Sequence, residues 1–340
     1  MIRTTLSQRA KIEYEKGRRL VVPFMGFPGL SITGVSIKLA QQNYGEHFRA
    51  VKALADRFEP DVIFPLMDLS VEANALGRYT VFPKNDSATV PKDTYHLEEL
   101  ERLRRVNISY DMRLIGYVKT MQLMNIGLPG SIARGAYVAG PYSLAALIMG
   151  ADDAAISTIL EPEKLHELCQ LATESIQQYI RLLIGAGAEI ICILEPSAVM
   201  LGPDQFSEFS TRYVRHLAES CRYNGVNIIL HVCGDTMHLI ELMAGCGANA
   251  ISLDGPETGF DLPAVAGKVP EDVAVIGNIS STRTLLNGSP EEVVREVSEL
   301  LESMEAFPNF ILATGCDLPQ ETPLENISAF IKTARMYRIP

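Results

Sequence analysis

Three side chains, far apart in the chain, have the right types to meet on one metal ion: His231, Cys233 and Cys316. His231 and Cys233 stand two apart in Leu230-His231-Val232-Cys233-Gly234-Asp235, at the end of an apolar run. In an extended strand, residues i and i+2 project to the same side. One imidazole and one thiolate can therefore reach one ion from adjacent rungs. Cys316 lies in Thr314-Gly315-Cys316-Asp317, just after another apolar run. Nitrogen and sulfur donors of this kind suit Zn2+, with a fourth position open or weakly held. Asp254 or Glu195 could fill that position when substrate is absent. The plainer alternative is a satisfied histidine beside two small buried cysteines. A two-residue motif alone would favour it; the third cysteine at a strand end shifts the balance to metal.

Convergence requires several strand ends on one rim. Eight short runs are apolar on both faces, as buried parallel strands are. They are Leu20 to Met25, Asp61 to Leu66, Ala133 to Ala139, Glu189 to Leu194, Val226 to Val232, Ala248 to Leu253, Val273 to Ile279 and Phe310 to Thr314. Eight strands close a (β/α)8 barrel, whose chemistry sits at the C-terminal strand ends. Polar groups do follow the runs there: Asp68 after the second, Glu195 after the fourth, His231 and Cys233 at the fifth, Asp254 after the sixth, Cys316 and Asp317 after the eighth. The expectation is an α/β TIM-type barrel forming one domain over 1–340, with an N-terminal helical extension and an irregular insertion after the second strand.

The helices are clearest in the C-terminal half. Ser289-Pro290-Glu291-Glu292 is a capping box with proline at the first helical position. Val293, Val294, Val297, Leu300, Leu301 and Met304 continue it as one apolar stripe. Leu165, Leu168, Cys169, Ala172, Ile176, Tyr179, Ile180 and Leu183 predict one face of a long helix ended by Gly185 and Gly187. Arg102 to Met124 reads as helix, and Gly77 to Lys92, with its Gly, Pro, Asn, Asp and Ser, as an irregular excursion of hairpin type.

The 340 residues carry a formal charge of −11 and no run of Lys or Arg, so no nucleic-acid partner is expected. No stretch is continuously apolar over a membrane-spanning length, and Met1 to Lys16 lacks the apolar core of a signal peptide. A cytoplasmic protein with no membrane partner is expected, as monomer or homodimer. The six cysteines then read as reduced rather than as a disulfide framework.

His231-Val232-Cys233-Gly234, followed far downstream by Gly315-Cys316-Asp317-Leu318-Pro319, resembles the methylcobamide:coenzyme M methyltransferases of the uroporphyrinogen decarboxylase superfamily. Further pieces are similar to that superfamily: Ala139-Gly140-Pro141-Tyr142-Ser143, Glu195-Pro196-Ser197, Gly202-Pro203-Asp204-Gln205-Phe206, Gly277-Asn278-Ile279 and Thr322-Pro323-Leu324-Glu325-Asn326. The resemblance spans roughly residues 20 to 335 and implies a distorted (β/α)8 barrel. It implies zinc on His231, Cys233 and Cys316, an acceptor thiol that joins the zinc, and methylcobalamin on a separate corrinoid protein as methyl donor. Met67, Met200, Phe27 and Tyr142 would then line the approach of the corrin ring, and Asp235, Asp254 and Asp317 would orient His231. The decarboxylases carry an arginine-rich motif near the first strand. This chain reads Pro23-Phe24-Met25-Gly26-Phe27-Pro28-Gly29 there, so decarboxylation of a polyanionic tetrapyrrole is not expected. Two alternatives stay open. One is tetrahydrofolate as methyl acceptor in a bacterial demethylation system. The other is a non-catalytic binding role with a closed zinc site, for which Cys246 is the spare cysteine.

Overall fold

The computed structural model describes residues 4–91, 100–259 and 261–339. Seven parallel strands follow one another in chain order across a curled sheet. They are β1 (Val62–Ile63), β2 (Ala133–Ala139), β3 (Ile190–Leu194), β4 (Asn227–Val232), β5 (Ala250–Leu253), β6 (Ala274–Ile279) and β7 (Phe310–Thr314). The first apolar run, Leu20 to Met25, fills the place between β7 and β1. Val21 bridges Leu312 in parallel, Val22 N–H donates to the Leu312 carbonyl at 2.8 Å, and Asp61 N–H donates to the Val21 carbonyl at 3.1 Å. It does not become a full strand because Pro23 has no amide hydrogen and Phe24 gives its own to the Thr314 hydroxyl at 3.0 Å. The second run leaves the ladder early for a similar reason. Pro65 has no donor, and Leu66 N–H goes to His47 Nε2 at 2.8 Å.

Alternation along the strands separates two cores. Val22, Phe24, Phe64, Tyr137, Cys192, Ile229, Ala250, Ile276 and Ala313 share the inner cluster. Their neighbours Val21, Ile63, Ala136, Ile191, Ile228, Ile251, Val275 and Leu312 pack outward against the helices. The helix Leu6–Glu15 closes the N-terminal end of the barrel: Leu6 and Ala10 belong to the inner cluster, and Leu6 N–H donates to Asn227 Oδ1 at 2.9 Å.

The helix Pro162–Ala186 buries the face expected of it. Gly185 lies within it, and Gly187, at φ +110°, ends it. Pro290–Ser303 carries the expected capping box on Ser289 and Glu292. The continuous helix expected from Arg102 to Met124 does not form. Asn107 accepts from Ser109 N–H and Asp111 from Leu114 N–H, so a 3-10 turn, Ile108–Tyr110, separates Leu100–Arg104 from Met112–Gly127. In the excursion after β1, Val81 and Thr89 make one antiparallel bridge; Lys92 lies outside the described residues. Among the described residues no single helix is long and apolar enough to cross a membrane.

A buried polar network anchors the rim after β1. Asp68 accepts from the Tyr117 and Ser70 hydroxyls, each at 2.7 Å, and from Arg113 Nη2. Asp68 is thereby committed to structure. Glu72, nearby, accepts from Ala139 N–H at 2.8 Å through Oε1, while Oε2 is buried without a partner. Burial pushes this carboxyl from 4.5 up to about 7. The folded state therefore holds the proton more tightly than the unfolded chain does. The stability this contributes is fully present below pH 4.5 and is lost as pH rises through about 7. Glu72→Gln keeps the Oε1 acceptor and removes the ionisation. Relative to wild type its stability should rise by about 2–3 kcal/mol between pH 5 and pH 8. Urea unfolding of both proteins at pH 5 and pH 8 checks this; an unchanged difference between the two pH values would contradict it.

Candidate metal centre

His231 is the second-last residue of β4 and shares the inward parity of Ile229. In register it stands opposite Leu194 of β3 and Ser252 of β5. The ring is fully buried, with the edge of Phe24 packed against it at 5.7 Å between centroids. Its Nδ1 is 3.0 Å from Ser252 Oγ, which leaves Nε2 facing the barrel mouth, 3.1 Å from Cys233 Sγ. Cys233 Sγ in turn lies 3.7 Å from Cys316 Sγ. The three donor atoms all lie within 4.8 Å of one another, the cluster being half-buried at both cysteines.

The loops that hold these residues touch one another. Gly234 turns the chain after Cys233 at φ +86°, and its N–H donates to Asp254 Oδ2 at 2.8 Å. Asp254 Oδ1 accepts from Gly255 N–H at 2.7 Å. Gly315 lies against that same loop: a Cβ there would sit 2.4 Å from Gly255 N. Only glycine permits this approach, and it sets the next residue, Cys316, beside Cys233.

The donor set fits zinc. Sulfurs about 2.3 Å from a tetrahedral ion stand roughly 3.8 Å apart, and a sulfur and an imidazole nitrogen roughly 3.6 Å apart. The observed 3.7 Å between sulfurs matches, and the 3.1 Å between nitrogen and sulfur needs only a small opening. The Cys316 thiol is held well above its ordinary range, first by its hydrogen bond to Cys233 and then by burial.

The structure does not bring the other expected residues to the ion position. Glu195 is buried with its carboxylate over the start of the helix Pro141–Met149. Its Oε1 accepts from Tyr142 N–H at 3.1 Å and its Oε2 from Ser143 N–H at 2.8 Å, and burial raises it to about 7. It caps a helix and is not a fourth ligand. Gly140 makes room for it, since a Cβ there would lie 2.1 Å from the Glu195 carboxyl carbon. Asp254 sits beside the trio, with both oxygens engaged by the amides of Gly234 and Gly255. Tyr142 is 1% exposed and packs in the outer core, so it does not line the mouth. Its place in the first turn of a helix, behind Glu195, is the reason. Phe27 is likewise buried, whereas Met67 is half-buried across two core clusters and Met200 is 67% exposed. Asp235 accepts from Met237 N–H in a turn, and Asp317 from Gly26 and Leu318 N–H; the partner of His231 Nδ1 is instead Ser252 Oγ. Cys246 is buried in the outer core, away from the trio. Ser252 escaped sequence reasoning because a serine in Ala250-Ile251-Ser252-Leu253 carries no motif; only the β4–β5 register reveals it.

A TIM-type barrel with one imidazole and two thiols converging at its strand ends defines the class. The chain belongs to the uroporphyrinogen decarboxylase (URO-D) family, whose profile it matches over residues 31–337. It is 26% identical over 259 residues to a methylcobamide:CoM methyltransferase of Methanosarcina mazei, covering 75% of this chain and 73% of that protein. It is also 24% identical over 286 residues to the uroporphyrinogen decarboxylase of a Synechococcus strain, covering 82% and 79%. The solved structure of a methyltransferase from Methanosarcina mazei superposes with a TM-score of 0.83 at 22% identity, over 97% of this chain and 98% of that one, and shares its fold.

Proposed function

We propose that the protein is a zinc-dependent methyltransferase that moves a methyl group from a methylated corrinoid protein to a small thiol. The observation that carries the reading is the convergence of His231, Cys233 and Cys316 within 4.8 Å at the strand ends of a barrel. Similarity to a protein named methylcobamide:CoM methyltransferase supports it. Zinc held there would supply the positive charge that keeps a coordinated thiol deprotonated at neutral pH.

The chain's own residues do the rest. Cys233 and Cys316 offer two thiolates and His231 a neutral imidazole, three protein ligands that leave the fourth position to the acceptor sulfur. Ser252 fixes the imidazole so that Nε2 faces the ion. Phe24 and the inner cluster below keep water from the barrel side of the site. The solvent side is half-open at Cys233 and Cys316, and Met200 is exposed in the loop after β3, where a flat corrin ring could approach.

The test is incubation with methylcobalamin and either a thiol, such as coenzyme M, or tetrahydrofolate, following loss of the methyl–cobalt absorption. Methylation of the thiol is expected. Methylation of tetrahydrofolate alone would replace the acceptor in this reading, and no demethylation with any acceptor would overturn it.

A further inference from the structure

Cys233 and Cys316 are 83 residues apart in the chain, and each lies beyond the end of its strand, yet their sulfurs stand 3.7 Å apart. The ladder between β4 and β5 ends at the Val232–Leu253 pair, and that between β6 and β7 at the Ile279–Thr314 pair. Beyond those pairs a chain of hydrogen bonds takes over. Gly234 N–H donates to Asp254 Oδ2 at 2.8 Å. The backbone carbonyl of Asp254 accepts from Asn278 Nδ2 at 3.0 Å. The carbonyl of the next residue, Ile279, accepts from Gly315 N–H at 2.7 Å. Asn278 shares the inward parity of Ile276 on β6 and is buried, so its amide is shielded from water. The path runs from the residue after Cys233, across the ends of β5 and β6, to the residue before Cys316. Asp254 also braces its own loop, through Oδ1 on the amide of Gly255, the residue against which Gly315 packs.

Side chains on loops keep a fixed geometry when packing and hydrogen bonds around them leave no alternative. We infer that Asp254 and Asn278 are positioning residues of the metal centre: together they hold the Cys233 and Cys316 loops at ion-binding separation before the ion arrives. This rests on the zinc reading above. Neither side chain is a ligand. Both oxygens of Asp254 face backbone amides, and the Asn278 amide nitrogen faces a carbonyl. Losing either link lets the cysteine loops part, and binding then has to reorder them, which weakens it.

Cobalt in place of zinc tests this without turnover, because each coordinated thiolate adds to a sulfur-to-cobalt absorption band. The whole chain, freed of metal, is titrated with Co2+. Wild type should take up about one cobalt with the band of two thiolates. In Asp254→Asn an amide nitrogen replaces one of the two acceptors, and one loop amide is left facing a donor. Its cobalt affinity should fall by about 10- to 100-fold, with a weaker band per bound cobalt. Asn278→Ala should lose about tenfold, with the same change in the band. The band is read per bound cobalt, so lost stability alone does not move it. Asp61→Asn is the control, since that carboxyl accepts from Val21 N–H and Arg18 at the opposite end of the barrel. It should lower stability and leave cobalt affinity within about twofold of wild type. Wild-type affinity and band in either Asp254→Asn or Asn278→Ala, or an equal loss of affinity in Asp61→Asn, would overturn the inference and leave the zinc reading standing. Wild type that binds no cobalt would remove both.

Discussion

Cys316→Ala should lose tight zinc binding and all thiol methylation while keeping its fold. Tetrahedral protein zinc sites are worth about 10–16 kcal/mol, so one ligand of four accounts for roughly 2.5–4 kcal/mol, on the order of a hundredfold or more in affinity. The loss is confined to the site because Cys316 lies in a turn, is half-buried, and its thiol faces Cys233 Sγ at 3.7 Å and His231. A competition titration against a chromophoric chelator reads the affinity, and circular dichroism reads the fold. Wild-type zinc affinity in Cys316→Ala would take that residue out of the centre.

The second large effect concerns a residue that binds no metal. Ser252→Ala removes the Oγ that lies 3.0 Å from His231 Nδ1 in a fully buried setting. The imidazole then loses the partner that fixes its tautomer and orientation, and its Nδ1 is left unsatisfied. Partners of this kind typically account for about 10- to 100-fold in metal affinity. We expect a loss in that range, with secondary structure intact. Affinity within twofold of wild type would show that packing against Phe24 suffices to hold the ring.

The pattern of runs made most of the barrel legible. The β2 and β7 runs coincide with the strands observed, and those of β3 to β6 extend only one or two residues beyond them at the N-terminal end. This works because a parallel strand covered on both faces is apolar throughout, and such runs are hard to mistake for surface helices. The distorted side was not legible in the same way. Leu20 to Met25 and Asp61 to Leu66 are as apolar as the others, yet Pro23 and Pro65 withhold ladder donors and the backbone turns to side-chain partners. The helix break before Met112 comes from Asn107 and Asp111, two caps within a stretch whose composition still reads as helix.

At the site, the i, i+2 spacing of His231 and Cys233 states their common direction outright. Carboxylates at strand ends are ambiguous in sequence. Glu195 and Asp254 have the position of ligands, but one caps a helix and the other joins two loops through backbone amides. Ligand and cap are the same chemistry, a carboxylate oxygen seeking a positive partner, and only geometry tells them apart. Tyr142 misled for a different reason. It follows a strand end by three residues, but the helix starting at Pro141 turns it outward into the core.

The central claim is that one ion is held by one nitrogen and two sulfurs from this chain. X-ray absorption at the zinc edge of the purified protein, with metal content measured on the same sample, tests it most directly. The account predicts about one zinc per chain with two sulfur neighbours near 2.3 Å, rising to three when a thiol is added. Absence of stoichiometric zinc after growth and purification with zinc supplied, or a shell without sulfur, would contradict it.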